Sequence, residues 1–169
     1  SSKSIIDRTD NVPIVQIATQ VIDESGICNA EHLTFDLQLS PETENMYLQT
    51  NLRAATRALT LLLDNAKKFT HDAEARLQHN TNGNLGEKKK VVMKVTSDHD
   101  KTVFTIEDTG IGVPPEAAER IFEEFIQLDE YYDGTGIGLT IARSLARRLG
   151  GDIHLDTSYT NGARFVMEI

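Results

Sequence analysis

The chain has 169 residues with 17 basic and 26 acidic side chains, and its formal net charge of −9 disfavours a surface built for nucleic acid or anionic lipid. Hydrophobic residues make up 39% of the sequence and no apolar run approaches ~20 residues, so we predict one globular domain without a membrane-spanning segment. The single cysteine, Cys28, cannot form an internal disulfide or a cysteine-based metal site, and we expect it to be buried. We therefore predict no nucleic-acid partner and no direct membrane contact.

The first half of the chain predicts two helices separated by a strand. Residues 1–11 are polar and unpatterned, so we expect a linker or frayed end before a domain over residues 12–169. Apolar residues at helical spacing predict an amphipathic helix from Ile14 to near Gly26. Alternating apolar and polar residues predict a strand from Leu33 to Leu39. Helical spacing then returns in a long helix from about Thr50, its predicted N-cap, to Phe69.

The second half predicts strands in pairs and two more helices. Residues 71–90 are polar, and we expect them to form a loop with a helical turn at residues 73–77. A Pro-Pro pair predicts a short acidic helix from Pro114 to about Phe125, and a glycine-rich loop leads into a helix from about Leu139. The predicted strands are Val91–Thr96, Val103–Asp108, Ile153–Thr157 and Ala163–Ile169. Because these strands form hairpins, we predict a mixed, mostly antiparallel sheet with its helices on one face.

Two glycine clusters flank the acidic segment, at residues 108–112 and 134–138. Glycines of this kind are common in ordinary turns, so neither cluster alone identifies a function. In the second cluster, alternate glycines let a ligand approach the backbone, and the helix that follows provides N–H groups and a positive dipole end. This setting predicts a phosphate site. The sequence has neither the Gly-Lys-Ser/Thr of a P-loop nor the dinucleotide fingerprint, so the site belongs to another fold.

Four residues near these clusters have side chains suited to a nucleotide. Asp108 follows a predicted strand, where its carboxylate can accept a hydrogen bond from an exocyclic amine or simply cap a turn. Asn65, Lys68 and Phe69 fall within about one helical turn and offer an oxygen for a hard cation, a charge for phosphate and an apolar surface. The alternative interpretation is an ordinary helix C-terminus, at which Lys67 and Lys68 oppose the dipole. The residues alone leave both interpretations open.

Taken together and in order, these motifs resemble the ATP-binding domain of sensor histidine kinases, within the superfamily of gyrase, Hsp90, histidine kinase and MutL ATPases. Residues 65–70 (NAKKFT) resemble the N box of this family, and residues 108–112 (DTGIG) resemble its G1 box. Residues 121–125 (IFEEF) resemble the F box, and residues 134–139 (GTGIGL) resemble the G2 box. The resemblance covers essentially the whole chain, from about residue 10 to residue 169.

The resemblance implies a Bergerat-type fold, an α/β two-layer sandwich that holds ATP between the N-box helix and a lid joining the two glycine boxes. It implies that Asp108 binds the adenine amine, that Asn65 ligates a Mg²⁺ ion bridging the phosphates, and that Lys68 pairs with phosphate. The nucleotide-binding residues that it implies are Asn65, Lys68, Phe69, Asp108, Gly110, Gly112, Val113, Thr135, Gly136, Gly138 and Leu139. The implied lid residues, within about residues 113–133, are Arg120, Phe122, Phe125 and Gln127.

Two departures from the family pattern bear on activity. Leu61 lies one helical turn before Asn65, where the family often has a polar residue and where its hydrolases have a glutamate that activates water. Leucine cannot abstract a proton, so we expect no gyrase-type hydrolysis. Between Arg120 and Arg143 the chain has no lysine or arginine, so we expect any cationic contact of the lid with the γ-phosphate to come from Arg120.

The resemblance implies a kinase whose acceptor histidine lies elsewhere. None of the five histidines stands in the His-Glu/Asp-x-x-x-Pro setting of the family's acceptor, so we expect ATP and Mg²⁺ binding without autophosphorylation. The implied partners are a histidine-bearing dimerisation domain of the same parent protein and the receiver domain of a response regulator, in the cytoplasm. Two alternatives stay open: a nucleotide-binding scaffold that has lost catalysis, which Leu61 would indicate, and a serine-protein kinase of the anti-sigma type.

Overall fold

A computed structural model describes residues 5–80, 88–123 and 137–169 of this chain. These residues form three α-helices, α1 (Ile14–Ser25), α2 (Leu52–Asn80) and α3 (Ile137–Arg148). They also form seven strands, β1 (Asp10–Pro13), β2 (Leu33–Leu39), β3 (Tyr47–Thr50), β4 (Lys89–Asp98), β5 (Lys101–Asp108), β6 (Asp152–Leu155) and β7 (Ala163–Glu168). None of the described helices is both long enough and apolar enough to cross a membrane.

Five of the strands form one mixed sheet in the order β2-β4-β5-β7-β6. Strands β2 and β4 pair in parallel, whereas the other three pairs are antiparallel. The parallel pair is possible because α2 provides the long crossover that such a pair requires. Strands β1 and β3 form a separate antiparallel ribbon. The prediction of a mixed, mostly antiparallel sheet is confirmed.

The helices cover one face of the five-stranded sheet. Phe104 and Ile106 alternate along β5, Phe165 and Met167 alternate along β7, and all four lie in the same buried core as the helices. The alternate residues of β5, Thr105 and Glu107, lie on the opposite face. Burying each large apolar side chain contributes about 1.5–3 kcal/mol, so the alternation decides which face of the sheet binds the helices. The predicted two-layer α/β arrangement is therefore confirmed.

Helix α2 is longer than predicted, because it continues to Asn80 rather than ending near Phe69. The first ten residues of the segment predicted at 71–90 are therefore helical; the predicted helical turn at residues 73–77 lies within this helix, but the prediction of a loop around it is wrong. Their polar composition suggested a loop, but residues 71–80 contain no glycine or proline and include alanine, glutamate, arginine and leucine, which are good helix formers. Residues 81–87 lie outside the described residues.

The start of α2 is capped by a residue other than the one predicted. Asn51 Oδ1 accepts a hydrogen bond from the Ala54 N–H at 3.0 Å, and Asp10 Oδ2 accepts one from the Leu52 N–H at 2.8 Å. Thr50, the predicted cap, is instead the buried last residue of β3. The side chains of Asn51 and Asp10 therefore satisfy N–H groups that the first helical turn leaves without partners.

The N-terminal residues are attached to the rest of the fold. The Ile6 N–H donates to the Arg148 carbonyl at 3.0 Å, and the Arg8 guanidinium donates to the Leu149 carbonyl at 3.1 Å. Strand pairing begins at Asp10, inside the segment that we expected to be a linker or frayed end. The domain boundary at residue 12 stays a prediction.

Two further local predictions are wrong. Cys28 is exposed rather than buried, because it lies in a short surface 3-10 turn. The predicted acidic helix is replaced, as far as it is described, by two 3-10 turns at Pro115–Ala117 and Arg120–Phe122. Glu123 then adopts an extended backbone, which ends the second turn. The remainder of that predicted helix, to Phe125, lies outside the described residues.

Candidate functional site

Asp108 ends β5 with its side chain on the helix-covered face of the sheet, and only 1% of the residue is exposed. Its Oδ1 accepts hydrogen bonds from the N–H groups of Gly110 at 2.8 Å and Ala163 at 3.3 Å. Its Oδ2 is buried and has no hydrogen-bond partner in the part of the chain that the structure describes. One carboxyl oxygen is thus fixed by the backbone, while the other is available to a ligand.

Burial raises the pKa of Asp108 to about 7, although the hydrogen bonds from Gly110 and Ala163 act to lower it. Removing a carboxylate from water costs more than these two N–H donors return. A buried polar atom without a partner is unusual in a native protein. The two observations together identify Oδ2 as an acceptor suited to an incoming donor, such as an amino group.

Asn65 is a second buried polar group without a partner. It lies within α2, and only 7% of the residue is exposed. Neither its amide oxygen nor its amide nitrogen has a hydrogen-bond partner within residues 5–80, 88–123 and 137–169. Because burying an unpaired amide destabilises the folded chain by about 1–3 kcal/mol, this side chain is also suited to an external partner.

The two lysines of the N-box segment do not lie at a helix end, since α2 continues to Asn80. The interpretation in which Lys67 and Lys68 oppose a helix dipole is therefore wrong. Lys67 Nζ donates to the Ser25 carbonyl and pairs with Asp64 at 3.4 Å, which ties α2 to the end of α1. Lys68, the predicted phosphate ligand, is half-buried.

The first glycine loop packs directly on α2. The Ile111 N–H donates to the Phe69 carbonyl at 3.3 Å. A Cβ at Gly110 would lie 2.6 Å from the Phe69 carbonyl carbon, so no larger residue fits there. Gly112 has a φ of 76°, a backbone conformation that favours glycine. The loop and α2 therefore form one continuous wall, with Asn65 about one turn before Phe69.

Two of the cavities formed by the described residues border the first glycine loop or α2. A cavity of about 320 Å³ is lined by Gly112 and Val113 of the first glycine loop together with residues of the loop between β6 and β7. A larger cavity of about 620 Å³ lies between α1 and α2, and Leu61 is among its lining residues. Neither cavity is lined by Asp108 or Asn65. The larger cavity therefore does not mark the site that the two unpartnered polar groups indicate.

Gly138 and Leu139, both predicted to contact phosphate, lie in the first turn of α3. The Leu139 side chain is buried in the core, so only its backbone can face a ligand. The first N–H groups of a helix have no partner within the helix and can bind an anion. A Cβ at Gly138 would lie 3.8 Å from Leu61 Cδ2, which places Leu61 beside the helix start. Thr135 and Gly136 lie outside the described residues.

Phe122, predicted in the lid, is buried between the sheet and α3. Its ring packs edge-to-face on Phe165 with centroids 6.0 Å apart, and the Arg143 guanidinium lies 4.3 Å from its centroid. Thr140 Oγ1 donates to the Phe122 carbonyl at 2.8 Å. Arg143 also donates to both carboxylate oxygens of Glu119, at 2.9 and 3.2 Å. These contacts fix the start of the predicted lid segment to α3.

Arg143 was not among the predicted site residues. The signal for it was its position three residues after Thr140, which places both side chains on one face of α3. Arg120, the predicted cation of the lid, is exposed. The other two predicted lid residues, Phe125 and Gln127, lie outside the described residues.

The described residues contain no group of three or more histidine, cysteine, aspartate or glutamate side chains that could hold a metal ion. A Mg²⁺ ion at this site would therefore take most of its ligands from phosphate oxygens and water. The Asn65 amide oxygen, which is buried and without a partner, fits the role of a neutral protein ligand to such an ion. The residues present thus suit a Mg²⁺ that arrives with a nucleotide.

Residues 50–169 match the family model described as histidine kinase-, DNA gyrase B-, and HSP90-like ATPase. The chain is 28% identical over 161 residues to the circadian input-output histidine kinase CikA of Synechococcus elongatus. The aligned region covers 91% of this chain and 19% of that protein. The chain is also 32% identical over 123 residues to the sensor protein RstB of Escherichia coli K12, and this aligned region covers 70% of this chain and 24% of that protein. The chain thus spans about a fifth to a quarter of these relatives.

The fold is similar to the solved catalytic domain of the histidine kinase ThkA. The two structures superpose with a TM-score of 0.72 at 22% identity, and the match covers 95% of each chain. At this level of identity the similarity concerns the fold, and it agrees with the mixed sheet and single helical layer described above.

Proposed function

Because this chain belongs to the family of histidine kinase-, DNA gyrase B- and HSP90-like ATPases, we propose that it is the ATP-binding catalytic domain of a two-component sensor histidine kinase. The domain presents the γ-phosphate of ATP to a histidine on a separate dimerisation domain of the same parent protein. The phosphoryl group then passes to an aspartate on the receiver domain of a response regulator. The observation that carries the proposal is the pair of buried polar groups, Asn65 and Asp108 Oδ2, that have no partner among the described residues.

At the adenine end, Asp108 accepts a hydrogen bond from the amino group of the base through Oδ2. Its orientation is supported by the two N–H groups that hold Oδ1. Because the amino group is a donor, the ionised carboxylate is the binding form. The rest of the proposed adenine pocket belongs to the wall formed by α2 and the first glycine loop. Its residues are Phe69, Gly110, Gly112 and Val113.

At the phosphate end, Asn65 would hold Mg²⁺ through its amide oxygen, and Lys68 supplies a positive charge. Mg²⁺, when bound, would offset part of the negative charge of the phosphates. Arg120, which is exposed, is the basic residue of the proposed lid at about residues 113–133, with Gln127 as a neutral donor. The remaining phosphate donors in this proposal are Thr135, Gly136, Gly138 and Leu139.

The domain contributes positioning and electrostatic stabilisation to the reaction. An imidazole nitrogen of the acceptor histidine attacks the γ-phosphorus, the bond to the β–γ bridging oxygen breaks, and ADP leaves with its electron pair. Leu61 lies beside the start of α3 and cannot activate water, so the chain has no hydrolytic base at that position of α2. Transfer to histidine is thereby favoured over hydrolysis.

We also propose how this domain lies in its parent protein. In this proposal residues 12–169 are the catalytic domain, and residues 1–11 form a linker before it. The domain works on the cytoplasmic side, where it meets ATP and the response regulator, and it needs neither nucleic acid nor direct membrane contact. The acidic net charge of −9 supports the last two points.

Replacing Asp108 tests the nucleotide site. We expect Asp108→Ala to lower the affinity for ATP and Mg²⁺ by at least about tenfold in calorimetric titrations, because the buried acceptor of the adenine amine is lost. Asp36→Ala, which removes an exposed carboxylate from β2, is the matched control and should leave the affinity unchanged. An unchanged affinity in folded Asp108→Ala would show that the base pocket lies elsewhere.

Phosphoryl transfer separates the proposed kinase from the alternatives. The domain is mixed with a matching dimerisation domain and ATP labelled at the γ-phosphate. Acid-labile label on a histidine supports the kinase, whereas acid-stable label on a partner serine supports the anti-sigma type. ATP binding without any label on the partner would identify a scaffold and contradict the proposal.

A further inference from the structure

The backbone carbonyl of Asp108 is held by a residue that the proposed function does not use. Tyr159 lies in the loop between β6 and β7, and its hydroxyl donates to the Asp108 carbonyl oxygen at 3.2 Å. The same loop passes so close that a Cβ at Gly162 would overlap this carbonyl oxygen. The adjoining Ala163 N–H donates to the Asp108 carboxylate. The β6–β7 loop therefore contacts the backbone of Asp108, the proposed adenine acceptor, and the first residue of β7 holds its side chain.

Arg164 in turn holds the ring of Tyr159. Its guanidinium carbon lies 4.4 Å from the ring centroid, which is a cation–π distance. Its Nε donates to Glu107 Oε2 at 2.7 Å, and its Nη1 donates to Asp156 Oδ2 at 3.1 Å. Glu107 also pairs with Lys94 at 3.1 Å. The ring is thus fixed to β5 and to the start of its own loop.

Asp156 stabilises the β6–β7 loop through several hydrogen bonds. Its Oδ1 accepts hydrogen bonds from the Ser158 N–H at 3.0 Å and the Ser158 hydroxyl at 2.6 Å, and its carbonyl accepts one from the Tyr159 N–H at 3.3 Å. Its own N–H donates to the Arg164 carbonyl at 2.8 Å. Because these bonds hold the turn together and join its start to β7, Tyr159 contacts Asp108 from a restrained backbone.

We propose that Tyr159 is a positioning residue for adenine recognition, which acts by holding the end of β5 so that Asp108 Oδ2 points at the amino group of the base. This inference rests on the proposed function, because it takes Asp108 as the adenine acceptor. Tyr159 also lines the 320 Å³ cavity together with Gly112 and Val113. Its effect on the nucleotide passes through Asp108 and the adenine amino group.

The test compares two nucleotides on Tyr159→Phe, a variant that loses only one hydroxyl. The affinities for ATP and for purine riboside 5′-triphosphate, which carries hydrogen in place of the amino group, are measured by calorimetry with Mg²⁺. We expect ATP to bind about two- to tenfold more weakly than to the unmodified chain, as for the loss of one hydrogen bond, and the amine-free nucleotide to bind as before. Tyr47→Phe, at an exposed position on β3, is the matched control and should change neither affinity.

Two results would overturn the inference. Equal weakening of both nucleotides would show that Tyr159 only supports the fold, and an unchanged affinity for ATP would show that it has no role in binding. Asp108→Ala, measured alongside, separates this inference from the proposed function. If Asp108→Ala weakens ATP binding and Tyr159→Phe does not, only the role of Tyr159 is wrong; if Asp108→Ala has no effect, both are wrong.

Discussion

The buried side chain of Asp108 destabilises the fold at the pH values at which it is ionised. These are the same pH values at which it can accept a hydrogen bond from the amino group of adenine. Burial raises its pKa from an ordinary value of 3.8 to about 7. Between these two values the folded chain keeps a proton that the unfolded chain has lost, so the free energy of unfolding falls as the pH rises toward 7. The two pH units from 5 to 7 correspond to about 3 kcal/mol.

Replacing Asp108 by asparagine should remove this pH dependence. From pH 5 to pH 8 we expect the free energy of unfolding, measured in urea, to fall by about 3 kcal/mol less in Asp108→Asn than in the unmodified chain. The variant should also lose ATP affinity, because either orientation of the amide sets its NH₂ group against another donor. Those donors are the backbone N–H groups on one side and the adenine amine on the other.

The exposed Asp36 on β2 provides the control for this measurement. Asp36→Asn should follow the unmodified chain at both pH values, because an exposed carboxyl stays in contact with water in both the folded and the unfolded state. Parallel pH curves for Asp108→Asn and the unmodified chain would contradict the assignment of a buried, protonated Asp108.

The 3-10 turn Arg120–Phe122 shows how one element is held in place by another. Its position depends on α3, through Arg143, whose side chain is only 11% exposed. The hydrogen bonds of Arg143 hold the pKa of Glu119 below its usual range, but Glu119 is largely exposed, so this ion pair contributes little by itself. The buried contact of the guanidinium with the Phe122 ring contributes more, because solvent does not screen it to the same extent.

Removing Arg143 should therefore loosen this turn without unfolding the domain. We expect Arg143→Ala to increase amide hydrogen exchange at residues 119–123 by several-fold, while α2 and the sheet keep their protection. Arg147→Ala is the matched control, since Arg147 pairs with Asp152 as Arg143 does but is 56% exposed. Equal exchange in the two variants would show that Arg143 does not anchor the lid base.

At the scale of the whole molecule, a net charge of −9 opposes the binding of a polyanion. Acidic residues are dense in and before the lid segment, at Glu107, Glu116, Glu119, Glu123, Glu124, Asp129, Glu130 and Asp133. Carboxylates near a phosphate group repel it, and salt screens the repulsion only in part. A divalent cation on the phosphates removes much of this repulsion, so affinity for ATP should depend on Mg²⁺.

Chelating the metal tests this dependence. We expect the affinity for ATP to fall at least about tenfold when EDTA replaces Mg²⁺, because the bare triphosphate meets an acidic surface. Adenosine, which carries no phosphate, should bind equally in both conditions and serves as the control ligand. ATP binding that is independent of Mg²⁺ would contradict both the charge argument and the role proposed for Asn65.

Elements with strong local periodicity could be predicted well, and elements without it could not. Strands β2, β5 and β7 alternate apolar and polar residues, and their predicted ranges agree closely with the structure. The last turns of α2 are polar, so no apolar pattern indicated that the helix continues beyond Phe69. The segment after Pro115 forms 3-10 turns because Phe122 packs against α3 and the sheet. Helix propensity, which depends on neighbouring residues only, does not predict this tertiary contact.

The candidate site divides in the same way. Its motifs, from Asn65 to the second glycine box, were visible in the sequence because each is a short run of residues whose chemistry is local. The burial that leaves Asp108 Oδ2 without a partner could not be seen there, nor could the bond from Tyr159, which is 51 residues away from Asp108 in the chain. The repeat of a helix or strand is set by backbone geometry over a few residues. The helices, the strands and the short motifs could therefore be predicted from the amino-acid sequence alone. Contacts between distant residues depend on the register of β5 with β7 and on the packing of α3, so they exist only once the sheet and its helical layer have formed.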